Sequence, residues 1–132
     1  MLSIWVKDMT TLADRKLTQV GLSVKDLPRA TAFYRDTLGL PFLFETNGMA
    51  FFQLGGGTRL MIGVNHDGAA STGILYFDAP DVPALSEALE KKGVVFLAPA
   101  QTLQKTDKGN LMLRAFRDPD GNALALMGVV ES

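Results

Sequence analysis

Two stretches of the chain carry the same punctuation 55 residues apart. Asp26-Leu27-Pro28 and Asp81-Val82-Pro83 each follow a strand-like stretch and open a run of apolar residues at helical spacing. A glycine closes each run, Gly39 in the first and Gly93 in the second. The aspartate can accept a hydrogen bond from the first helical N–H groups, and proline gives up an N–H that a helix start does not use. Glycine takes the left-handed turn that stops a helix. Agreement of caps, prolines and glycines predicts two β-α-β-β-β units in tandem, over residues 17–64 and 73–129. Neither unit can bury both faces of its sheet alone, so the two should combine into a single domain, 17–129, preceded by an arm at 1–16.

Within the first unit, residues 18–24 alternate. Thr18, Val20, Leu22 and Val24 share one face, expected under the helix. Leu17, Gln19, Gly21 and Ser23 share the other, which is small and polar for a core and fits a cavity wall. Ala30, Phe33, Tyr34 and Leu38 form the stripe of the first helix, and strands are expected at 41–45, 50–54 and 59–64. Residues 65–72 read as a linker. The second unit should place strands at 73–79, 94–97, 111–117 and 123–129, a helix with Val82, Leu85, Ala88 and Leu89 inward, and a long polar loop at 99–110. Asp118-Pro119-Asp120-Gly121 reads as a turn. Pro119 pre-sets φ, the carboxylates bond back to nearby N–H groups, and Gly121 tolerates positive φ.

Composition narrows function. The chain has 132 residues, 47% of them hydrophobic, enough for one real core and too few for two ordinary domains. It has no cysteine, which excludes disulfides, zinc–thiolate sites and thiol catalysis. A net charge of −1 with no basic run argues against nucleic acid. No apolar stretch approaches the ~20 residues of a membrane helix, and residues 1–16 lack the apolar region of a leader, so a cytoplasmic protein is expected.

The run Val24-Lys25-Asp26-Leu27-Pro28-Arg29-Ala30-Thr31-Ala32-Phe33-Tyr34-Arg35-Asp36-Thr37-Leu38-Gly39-Leu40 resembles the opening strand and helix of the glyoxalase / bleomycin-resistance / extradiol-dioxygenase superfamily, the vicinal oxygen chelate proteins. Phe116-Arg117-Asp118-Pro119-Asp120-Gly121-Asn122 resembles its closing turn. The similarity spans about 17–129. It implies an α+β fold: eight strands in an incompletely closed, cup-shaped barrel, helices outside and a ligand cavity within. Metal-dependent members hold one divalent ion with side chains from the first and last strand of each unit. Those four slots fall at Gln19, Met61, Ile74 and Ala125, and a one-residue slip gives only Leu60, Gly73, Leu124 or Leu126. Hard cations need several oxygen or imidazole ligands. Gln19 offers one neutral oxygen and the others nothing, so no metal and no cofactor is expected.

By strand alternation, Gln19, Arg59, Met61, Ile74, Tyr76 and Ala125 are the candidate ligand-binding residues. Gln19 is equally readable as a ligand contact or as an amide bonded to its own backbone surroundings. Arg59 and Asp78 stand at strand ends, where a surface ion pair is the favoured reading. Tyr76 offers an apolar body and an orienting hydroxyl. Phe42, Phe44, Phe51, Phe52, Met112, Arg114 and Phe116 alternate between faces without showing which is inside. His66, the only histidine, sits in a turn-like stretch and reads as a surface residue. The function expected is metal-free binding of a small apolar or amphipathic molecule, as in bleomycin-resistance proteins, which sequester a drug without chemistry. The family also implies a homodimer, which the apolar arm around Trp5 would suit. The alternative is an enzyme, a lyase, isomerase or dioxygenase with an atypical site drawing on Arg59, Asp78 or Tyr76. A third reading is a structural or regulatory module whose cavity is filled by side chains.

Overall fold

The computed structural model describes residues 12–65 and 70–131; most of the arm and His66 lie outside them. The first unit runs β1 (Gln19–Val24), α1 (Leu27–Ala32), β2 (Phe42–Thr46), β3 (Met49–Gln53) and β4 (Arg59–Val64). The second runs β5 (Ile74–Asp78), α2 (Val82–Lys91), β6 (Gln101–Thr106), β7 (Gly109–Arg117) and β8 (Ala123–Val130). Each unit forms one four-stranded sheet, ordered β1-β4-β3-β2 and β5-β8-β7-β6. The first and last strands of each unit pair in parallel and the others antiparallel. The two sheets do not close on one another, which leaves an eight-stranded cup with the helices outside.

Alternation divides the faces as expected. Leu22 and Val24 of β1 are buried with Ala30 and Tyr34 of the helical segment and with Leu60 and Ile62 of β4. The same apolar cluster continues into the second unit through Phe116, Leu124 and Leu126. Burial of each such side chain contributes roughly 1.5–3 kcal/mol.

Three local details differ from the sequence pattern. The first helix is not uniform: after Ala32 it widens into a π-type turn over Phe33–Thr37, with Leu38 N–H donating to the Phe33 carbonyl at 2.9 Å. The two caps are not equivalent. Asp26, extended at ψ 99°, accepts the Arg29 N–H on Oδ1 at 3.1 Å, whereas Asp81, at ψ 42°, makes no side-chain cap bond. The strand expected at 94–97 is a single bridge between Phe96 and Phe116. The sixth strand lies instead at Gln101–Thr106, inside the stretch expected to be a loop. All six of its residues are exposed, as a polar edge strand allows, so no apolar alternation marks it. Its hairpin to β7 is fixed by Thr106, whose hydroxyl donates to the Gly109 carbonyl at 2.7 Å.

Candidate functional site

The turn between β7 and β8 ties the units together. The Asp118 carboxylate is 5% exposed and accepts four hydrogen bonds. Oδ1 takes the backbone N–H groups of Asp120 (2.9 Å) and Asn122 (2.8 Å). Oδ2 takes the Tyr34 hydroxyl (2.7 Å) and the Asn122 amide (2.8 Å). Asn122 in turn donates to the Ser23 carbonyl and accepts from Ser71 N–H. Asp120 accepts from Lys25 N–H at 2.8 Å and pairs with Arg29 at 3.0 Å. Asp118, engaged through both oxygens, and Asp120, through Oδ1, thus dock the second unit on the β1–helix segment, the structural role their turn sequence suggests, while Asp120 Oδ2 is buried without a partner among the described residues.

Burial, then the Asp118 charge and its hydrogen bond, push the Tyr34 hydroxyl far above its usual value near 10. A raised folded value means that the contribution is fully present below pH 10 and is lost as pH rises beyond it. Above that pH the protein should lose about 1.4 kcal/mol per pH unit more steeply than Tyr34→Phe, as read by urea denaturation across the range.

At the other end of the seam between the units the corresponding turn is Leu54-Gly55-Gly56-Gly57-Thr58, which carries no carboxylate. Here the units stand apart around a crevice of about 600 Å³, lined by Leu17, Val20, Leu54, Ile74, Tyr76 and Phe77 among others. Ile74 and Tyr76 are 48% and 53% exposed. Asp78 lines the same crevice, and among the described residues it has no ion-pair partner.

The other candidates lie on the face of the first sheet away from α1. Gln19 pairs with Arg59 across β1 and β4, and Gly21 with Met61. The Arg59 guanidinium donates from Nη2 to Gln19 Oε1 at 2.9 Å and stands 5.3 Å from the centre of the Phe51 ring. Phe51 is stacked on Phe44 at 4.4 Å with 20° between the planes. Met61 lines a separate depression of about 430 Å³ with Gly21, Ser23, Met49 and Gly63.

The structure therefore groups Gln19, Arg59 and Met61 on one sheet and Ile74 with Tyr76 in the crevice. The two hollows share no lining residue. Ala125 pairs with Tyr76 but is only 1% exposed, and it lines neither hollow. Among the aromatic residues left open by alternation, Phe52 and Phe116 are core, while Phe44 and Phe51 build the ring platform beside Arg59. Arg114 serves the outside, over Phe96 and 3.6 Å from Glu90. The platform escaped the sequence because it needs the register of three strands. Its only trace is a pair of phenylalanines flanking a tight Asn47-Gly48 turn.

These residues do not fit a metal ion. Among the described residues no three His, Cys, Asp or Glu side chains gather closely enough to hold one. The single oxygen in the four slots already accepts from a guanidinium, whose positive charge opposes a cation beside it.

Among solved structures, the chain resembles a glyoxalase/dioxygenase from Nostoc punctiforme with a TM-score of 0.72 at 21% identity, covering 96% of this chain and 97% of that one. A glyoxalase/bleomycin resistance protein/dioxygenase from Nocardioides gives 0.71 at 19% identity, covering 94% and 89%. Lactoylglutathione lyase from Agrobacterium tumefaciens gives 0.69 at 22% identity, covering 86% and 93%. At such identities the likeness concerns the fold. No curated protein matches the chain. The family model for the Glyoxalase/Bleomycin resistance protein/Dioxygenase superfamily matches residues 16–126, and with the repeat, the strand order and the docking turn in place, the chain belongs to that superfamily.

Proposed function

We propose that this chain binds a small apolar or amphipathic molecule without a metal ion, holding it as a bleomycin-resistance protein holds a drug. The observation that carries the reading is the state of the four slots: a glutamine engaged by Arg59, a methionine, an isoleucine and a buried alanine. Gln19, Arg59 and Met61 are the contacts proposed on the first sheet, and Ile74 and Tyr76, with Ala125 paired to Tyr76, those proposed at the crevice. The reading extends to residues 17–129 as one domain and to a cytoplasmic homodimer. Phe42, Leu43 and Phe44, 39–44% exposed, supply apolar surface near a partner or a ligand. Elemental analysis of the purified protein, followed by dialysis against zinc, nickel, manganese and ferrous iron, tests it. Metal content well below one ion per chain is expected in every case. A divalent ion retained at one per chain would overturn the reading and favour a lyase or dioxygenase.

A further inference from the structure

The ligand of the first sheet can be specified further, on the basis of the binding role just proposed. We infer that this face receives a carboxylate-bearing molecule, with the carboxylate on Arg59, which the Phe51 ring supports, and the apolar body in the Met61 depression.

Arg59 is held in place without being neutralised. Gln19 Oε1 fixes one Nη2 hydrogen and the Phe51 ring supports the guanidinium plane. No carboxylate of the described residues lies within ion-pair distance of it, whereas Arg29, Arg35 and Arg114 each have one. A guanidinium has five N–H donors in a rigid fork, which matches the two oxygens of a carboxylate. Fixing the fork beforehand removes part of the ordering cost of binding. The acidic residue of the edge strand β2, Glu45, follows Phe44, pairs with the buried Ala50 and so points to the opposite face by alternation.

Room for an apolar body lies beside this charge. Gly21 and Gly63 flank Met61 on the same face, and the space their side chains would fill is bounded by Met61 itself, whose Cε and Sδ lie 3.4 and 3.3 Å from the two Cβ positions. Methionine is flexible enough to fit itself to varied apolar shapes. On the second sheet the corresponding positions are Ile74, Ala123 and Ala125, all uncharged. The first sheet therefore carries a fixed positive charge where the equivalent positions of the second carry none, and the carboxylate further along β5, Asp78, lines the separate crevice, so the Arg59 face suits a molecule with one anionic end.

Matched pairs of aryl-alkyl carboxylates and their primary amides, beginning with 4-phenylbutyrate and 4-phenylbutyramide, test this on the intact protein by titration calorimetry and by the Arg59 Nε–H NMR signal. The carboxylate should bind about tenfold more tightly than the amide. Arg59→Gln should erase that preference and leave amide binding within about twofold, and Arg59→Lys should retain only part of it. Met61→Trp should block both probes. Equal affinity for the two probes, or a preference that survives Arg59→Gln, overturns the carboxylate assignment and leaves the binding role standing. Failure of every probe at millimolar concentration, with the Arg59 signal unmoved, overturns both.

Discussion

Asp118→Ala is expected to destabilise the protein by about 3–5 kcal/mol, measured by urea denaturation at neutral pH. The carboxylate accepts from four donors, three of them on two fully buried residues, Tyr34 and Asn122. Removing it strands the Tyr34 hydroxyl and the Asn122 amide away from water, at about 1–3 kcal/mol for each donor left unpaired. A water molecule entering the vacated space would recover part of this, so the cost stays below the sum. Tyr34→Phe removes one donor together with its need for a partner and should cost only about 1 kcal/mol. The double variant should therefore lose less than the two single losses added together. A loss under about 1 kcal/mol for Asp118→Ala would show that the turn does not clamp the units.

That clamp marks the boundary of what a sequence can display. The turn itself is local: proline, two aspartates and glycine within a few residues, with Gly121 at φ 89°. So are the proline near each helix start and the glycines after each helix, Gly39 and Gly93, which both adopt positive φ. The repeat built from them was legible; the order of the strands within each sheet was not. The partner of Asp118 was not, because Tyr34 stands 84 residues away and reads as one more aromatic in a helical stripe. Strand β6 was hidden for a different reason. Its sequence, Gln-Thr-Leu-Gln-Lys-Thr, buries nothing, and a strand recognised by its apolar face needs one. At the candidate site, alternation put Gln19, Arg59 and Met61 on one side of the first sheet. It could not say that Gln19 would spend its oxygen on Arg59, or that Tyr76 would face a different hollow. Both depend on how neighbouring strands slide and how the units meet.

Phe51→Ala and Phe52→Ala, adjacent residues on opposite faces of β3, should separate binding from folding. Phe52 is fully buried, 5.9 Å from the Tyr34 ring and 5.7 Å from Phe42, and its truncation should cost about 3–5 kcal/mol. Phe51, 7% exposed, loses its stacking on Phe44 and should cost about 2–4 kcal/mol. The consequences for the ligand face differ. Without the Phe51 ring, Arg59 loses a cation–π contact of roughly 0.5–1 kcal/mol and the support that orients its fork. Phe51→Ala should therefore weaken 4-phenylbutyrate binding about tenfold while Arg59 remains present. Phe52→Ala, titrated at a low temperature where it is still folded, should bind as the parent does. If both variants bind equally well, the ring platform has no part in recognition. If both lose binding in step with stability, the face is reporting the integrity of the sheet and not contact with a ligand.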